Sequence, residues 1–170
     1  MGRCMVATKV GWVGALAVTL TTLSCSGGGA APPSYPSALL AKPVPAFKRP
    51  TLDGGMFDTE TARGKTMVVK FFAKYCVPCQ KTLPKAEALH KDRSDVVFVG
   101  ISEDESERDA REIKDNFGLT FPIVLDRGNV LSGRFRVRDM PITFVVSADG
   151  NVRWVGGPDQ SEEDLARAIR

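Results

Sequence analysis

The chain has 170 residues, 43% hydrophobic and 25% charged, with a formal net charge of +3. That length and composition fit one globular domain with a core of ordinary size, so structural staples are not required. The charge is too small to argue for nucleic acid, and no such partner is expected.

Residues 1–24 read as a cleaved signal peptide. Arg3 and Lys9 precede VGWVGALAVTLTTLS, an apolar run too short for a membrane span. The run ends at TLSCSGGG, where the small Ser24 precedes Cys25. This end resembles a bacterial lipoprotein signal, which implies that Cys25 carries lipid and becomes the first mature residue. Thr22 stands where an aliphatic residue is commonest, and Ser26 is not the Asp of the enterobacterial inner-membrane retention signal. Loss of Arg3 and Lys9 takes the basic count from 23 to 21 against 20 acids, so the mature chain is nearly neutral. Cys4 leaves with the signal and Cys25 goes to lipid. Of the four cysteines only Cys76 and Cys79 then remain, facing an oxidising compartment.

Residues 25–43 are rich in Gly, Ala, Ser and Pro, lack a sustained period, and read as a lipid-anchored flexible linker. The folded domain is expected over 44–170. AFKRPTL and GMFDTET flank the turn signal Asp53-Gly54-Gly55 and predict a hairpin. TMVVKFFA (66–73) reads as a buried strand. A helix is predicted from about Val77 to Lys91, with Leu83, Ala86 and Leu89 or His90 inward. DVVFVGIS (95–102) is a second buried strand. SERDAREIKDNFG reads as an amphipathic helix from an N-cap at Ser106 to Gly118. FPIVLD is a short strand, NVLSGRFRV a helical turn, and PITFVVSADGNVRWVGG a hairpin turning at Asp149-Gly150. In SEEDLARAIR, Ser161 caps a terminal helix and Asp164 closes a capping box. Strands alternating with helices, then a hairpin and a last helix, predict an α/β domain: a central mixed β-sheet with helices on both faces and an N-terminal β-hairpin.

The stretch KFFAKYCVPCQKTLP (70–84) carries the chemistry. A c-type haem site needs His after C-x-x-C, and residue 80 is Gln. A closed zinc site needs four Cys or His ligands; two cysteines and His90 cannot supply them. A structural disulfide remains open, but this spacing closes a tiny loop and removes little unfolded-state entropy. A redox pair fits better. The cysteines fall where a strand gives way to a helix, and free N–H groups with the helix dipole stabilise a thiolate there.

GKTMVVKFFAKYCVPCQKTLP, with Pro84 five places after Cys79, and MPITFVVSADGNVRWVGG together resemble the thioredoxin superfamily. The nearest group is the membrane-tethered TlpA/ResA-like thiol–disulfide oxidoreductases, relatives of alkyl-hydroperoxide-reductase-type proteins. The resemblance covers about residues 44–170. It implies a thioredoxin-like fold, Cys76 as the exposed nucleophile and Cys79 as the buried resolving cysteine. It implies that Pro84 kinks the active-site helix. It also implies a cis Met140–Pro141 peptide that presents the Met140 backbone to an extended substrate segment.

Tyr75 replaces the usual Trp and keeps a flat wall beside the cysteines. Met140 replaces the commoner Ile, Val or Thr. The dipeptide Val77-Pro78 lacks the His of the strong oxidants, so the family analogy favours reduction. The resemblance implies extracytoplasmic protein clients: the C-x-x-C-H thiols of apocytochrome c, or other periplasmic disulfides. However, Ile142 stands where dedicated cytochrome-maturation reductases have Glu. A membrane-bound donor would re-reduce the pair. No metal or bound cofactor is expected beyond the Cys76–Cys79 redox centre itself, and the chain is expected to act as a monomer. Two other functions fit a cysteine pair less well. A thiol peroxidase needs P-x-x-x-[TS]-x-x-C, and Val69 and Ala73 occupy its Pro and Thr/Ser positions. A Cu(I) carrier suits two thiolates, but no Met or His cluster supports it.

Lys70 occupies the position of the buried Asp of thioredoxin. Its bland reading is a packed stem with the ammonium reaching solvent or an acid; its functional reading is tuning of the pair. His90 reads as a packed or half-exposed histidine.

Overall fold

The computed structural model describes residues 32–170. The expected signal peptide and the expected lipid site at Cys25 lie outside the described residues. The elements in chain order are β1 (Lys48–Pro50), β2 (Met56–Asp58), β3 (Met67–Phe72), α1 (Val77–Asp92), β4 (Val97–Ser102) and α2 (Glu107–Asn116), then β5 (Ile123–Leu125), α3 (Val130–Phe135), β6 (Ile142–Val146), β7 (Val152–Gly156) and α4 (Glu162–Ala168).

The fold is organised around β3, MVVKFF, in which every residue is buried. β-Branched and aromatic side chains suit a pleated surface covered on both sides. Five strands make one mixed sheet in the order β5-β4-β3-β6-β7. β3, β4 and β5 run parallel, while β6 and β7 run antiparallel to their neighbours. β1 and β2 form the expected hairpin as a separate antiparallel pair. Gly54 turns it at a φ of 82°, a conformation costly for any residue with a Cβ.

Helices α1, α2 and α4 cover one face, where Leu83, Ala86, Ile113 and Leu165 pack with Val68 and Phe72. Helix α3 and the hairpin cover the other, where Phe135, Phe47 and Phe57 pack with Val69 and Phe71. The predicted helix ends and turns agree closely with these elements. Ser106 departs from expectation: it holds the N-cap position of α2 but makes no side-chain capping bond. Its carbonyl instead accepts from Asp109 and Ala110, and Glu107 and Asp109 place negative charge in the first turn. The Ser161–Asp164 capping box of α4 is present with both bonds.

Both sheet edges are closed. On the β5 side Thr51 bridges Val124, and the Leu52 N–H donates to the Ile123 carbonyl at 2.8 Å. On the β7 side the chain from Pro33 to Val44 runs along the strand. The Tyr35 N–H donates to the Val155 carbonyl at 2.6 Å, the Ala41 N–H to the Val152 carbonyl at 2.8 Å, and the Val152 N–H to the Lys42 carbonyl at 2.9 Å. Leu39 is buried beneath this segment. Much of the stretch expected as free linker is thus ordered on the domain. Its composition hides this because the pairing uses backbone groups, which a search for side-chain period does not detect.

Candidate active site

Strand β3 ends at Phe72 and α1 begins at Val77, which leaves Cys76 at the helix N-cap. Cys76 and Cys79 are joined as a disulfide. The Cys79 N–H donates to Cys76 Sγ at 3.2 Å. On reduction the same N–H and the helix dipole favour negative charge on Cys76. The sulfurs are unequal in access. Cys76 is 6% exposed and lines a groove of about 870 Å³, whereas Cys79 is fully buried and does not line it.

The expected supporting residues converge on this groove. Tyr75, Val77, Pro78 and Met140 line it beside Cys76. Tyr75 and Val77 are 70% and 63% exposed and form an apolar lip. Pro141 follows Met140 through a cis peptide bond. Pro84 lies inside α1 and has no N–H to continue the helical ladder.

Three acids that sequence reasoning missed hold the surroundings. The buried Asp104 accepts the Lys74 N–H at 2.9 Å and the Ser102 hydroxyl at 2.8 Å, pinning the turn that leads into Cys76. Asp126 accepts the N–H groups of Leu131 and Ser132, both at 2.8 Å, fixing the start of α3. Glu103 lines the groove and accepts a hydrogen bond from Ser132, while burial pushes its carboxyl above the usual range. The signal was available in principle. In open α/β sheets the loops after the carboxyl ends of parallel strands gather at the site, and Glu103 and Asp104 directly follow β4.

Lys70 corrects the bland expectation. Among the described residues its ammonium meets no acid, and it is shut off from solvent. The residue is 2% exposed, and its Nζ lies 3.3 Å from the Thr143 hydroxyl. Burial pushes the amine down to about 7. Lys70 shares the face of β3 with Val68 and Phe72, which pack in the same cluster as Cys76 and Cys79. Gly100, its register partner, has no side chain because a Cβ would lie 2.8 Å from Phe72 and 2.9 Å from Phe121. His90 is half-buried against Phe98 and Phe121, with ring centroids 5.4 and 5.8 Å away, as a packing residue would be. Glu87, not anticipated as an inward residue, is buried on α1 and accepts the N–H and hydroxyl of Thr120.

A redox pair at a helix start, beside a cis-proline and on a mixed sheet, directs comparison to known proteins. The family model for the AhpC/TSA family matches residues 40–155. The chain belongs to this family. It is 32% identical over 130 residues to the thioredoxin-like protein YneN of Bacillus subtilis, covering 74% of this chain and 76% of that one. It is 26% identical over 128 residues to the thiol–disulfide oxidoreductase ResA of Bacillus thuringiensis, covering 74% of each. Among solved structures it is similar to a secreted disulfide oxidoreductase of Mycobacterium tuberculosis homologous to E. coli DsbE. That match has a TM-score of 0.66 at 25% identity and covers 72% of this chain and 93% of that one. With its own cysteine pair as the redox centre, this thioredoxin-like family member is a thiol–disulfide oxidoreductase.

Proposed function

We propose that the protein reduces protein disulfides outside the cytoplasm, with Cys76 as the attacking thiol and Cys79 as the resolver. The observation that carries this reading is the asymmetry of the pair: Cys76 opens on the groove and accepts the Cys79 N–H, while Cys79 is sealed. The Cys76 thiolate attacks one sulfur of a substrate disulfide. A Cys76–substrate disulfide forms and the other substrate sulfur leaves as thiolate. The Cys79 thiolate then attacks Cys76 Sγ, expelling the second substrate thiolate and forming the Cys76–Cys79 bond. Two electrons pass to the substrate. A dithiol donor, for which a membrane-bound protein is the candidate, restores the pair.

The groove suits an extended polypeptide beside Met140, with Tyr75, Val77 and Pro78 giving apolar contact. The C-x-x-C-H pair of apocytochrome c, in its disulfide form, falls within this substrate class. Ile142, buried at the start of β6, offers it no acidic contact, so general disulfide reduction is the broader reading. In this reading Lys70 accepts the Cys79 proton when neutral and favours thiolate when charged; the support is its place on the face of β3 that packs with the cysteines and the burial that lowers its amine to about 7. The location rests on the signal-like residues 1–24 with Cys25 as the lipid site, and on the secreted Mycobacterium relative. Rapid acid quenching and alkylation of cells reads the state of Cys76 and Cys79. A mostly reduced pair is expected; a mostly oxidised pair would reverse the proposed direction.

A further inference from the structure

We propose that Tyr35 is a positioning residue for substrate, acting as the latch by which the N-terminal segment holds the groove wall. The segment is seated firmly on the β7 edge. Ser34 Oγ accepts the Val155 N–H at 2.9 Å, and Trp154 Nε1 donates to the Pro33 carbonyl at 2.9 Å. The Tyr35 ring lies against bare backbone: a Cβ on Gly157 would sit 2.3 Å from it. From this seat the Tyr35 hydroxyl donates to the Asp139 carboxylate, 104 residues away in sequence.

Asp139 is the useful end of that bond. It lines the groove with Met140 and Cys76, in the irregular loop between α3 and β6. Tyr35, Val137 and Met140 also pack on the same core cluster. Fixing Asp139 therefore fixes the backbone of Met140, the next residue. A polypeptide lying beside Met140 then meets a wall already in place and need not order it on binding. The chemistry at sulfur does not depend on the latch, because Cys76 and Cys79 are set by β3 and α1. This inference rests on the reading that the groove takes polypeptide.

A hydrogen bond of this kind biases an equilibrium roughly three- to tenfold. With a synthetic disulfide-linked peptide as substrate and dithiothreitol as the dithiol that re-reduces Cys76–Cys79, Tyr35→Phe is expected to raise KM roughly three- to tenfold at unchanged kcat. The rate at which the pre-reduced protein, freed of excess dithiol, reacts with the small disulfide 5,5′-dithiobis(2-nitrobenzoate) is expected to stay at the wild-type value. Asp139→Ala should raise the peptide KM to a similar degree, and the double variant should be no worse on the peptide than either single one. Amide exchange at Asp139 and Met140 should accelerate in Tyr35→Phe. An unchanged KM, additive effects, or parallel slowing of the small disulfide would overturn the latch. Failure of the wild-type protein to turn over the peptide would sink the functional reading instead. In that case exchange at Asp139 and Met140 still decides the latch: acceleration supports it and no change overturns it.

Discussion

On one face of β3, Val69 and Phe71 enter an aromatic cluster in which Phe71 lies 5.2 Å from Phe135 and 5.9 Å from Phe144. On the other face, Val68 and Phe72 flank Lys70, whose side chain makes its one hydrogen bond among the described residues to Thr143. The same six-residue strand thus serves two purposes. Its aromatic face contributes packing and nothing titratable. Its cysteine face buries an amine, and that burial lowers it to about 7 at a cost in stability. A buried charge with so little compensation is costly, and it sits on the side that carries the redox pair.

The largest expected effect is in stability against pH for Lys70→Met. Burial lowers the amine from 10.5 to about 7, and a difference of about 3.5 units at ~1.4 kcal/mol each corresponds to something of order 5 kcal/mol. Below pH 7 both folded and unfolded chains carry the charge, so the cost is complete. Between pH 7 and 10.5 only the unfolded chain binds the proton, and the cost fades as pH rises. Lys70→Met should therefore stabilise most in mild acid and least in strong base, as read by denaturant unfolding. Phe71→Ala, on the opposite face, should cost about 3–5 kcal/mol at every pH and leave the reduction potential unchanged.

Glu87 sharpens the comparison, because it is a buried charge with partners. Burial pushes its carboxyl up, but the Thr120 hydroxyl and N–H and the Lys91 ammonium outweigh this and leave it below its usual value. A lowered carboxylate stabilises above its unfolded value and loses that contribution as pH falls. Glu87→Ala is expected to cost about 1–3 kcal/mol at pH 7, with the deficit shrinking in acid unfolding experiments. The smallest effect is electrochemical. A charged Lys70 favours the reduced thiolates, so Lys70→Met should lower the potential at pH 6 by on the order of 30 mV. Equilibration with glutathione at pH 9, where the wild-type amine is neutral, should show almost no difference.

The sheet, its helices and the cysteine pair were legible because they rest on local signals. Buried runs such as MVVKFF, the turns at Gly54 and Gly150, and C-x-x-C at a strand–helix junction all lie within a few residues. Lys70 was visible as an anomaly in an apolar strand, yet its lack of an acidic partner depends on what α1, β4 and β6 bring near it. Glu103, Asp104 and Asp126 looked like ordinary loop acids, since their partners in α3 and the turn before Cys76 are set by tertiary contact. The N-terminal segment was the least legible, because its pairing with β7 is made by backbone groups.

The order of attack tests the central claim most directly. Purified Cys79→Ser and Cys76→Ser variants, each mixed with a disulfide-linked peptide, can be read by intact-mass spectrometry. Cys79→Ser is predicted to accumulate a covalent peptide adduct on Cys76, while Cys76→Ser accumulates none because Cys79 is sealed from the groove. An adduct on Cys79 in the Cys76→Ser variant, with none in Cys79→Ser, would contradict the account.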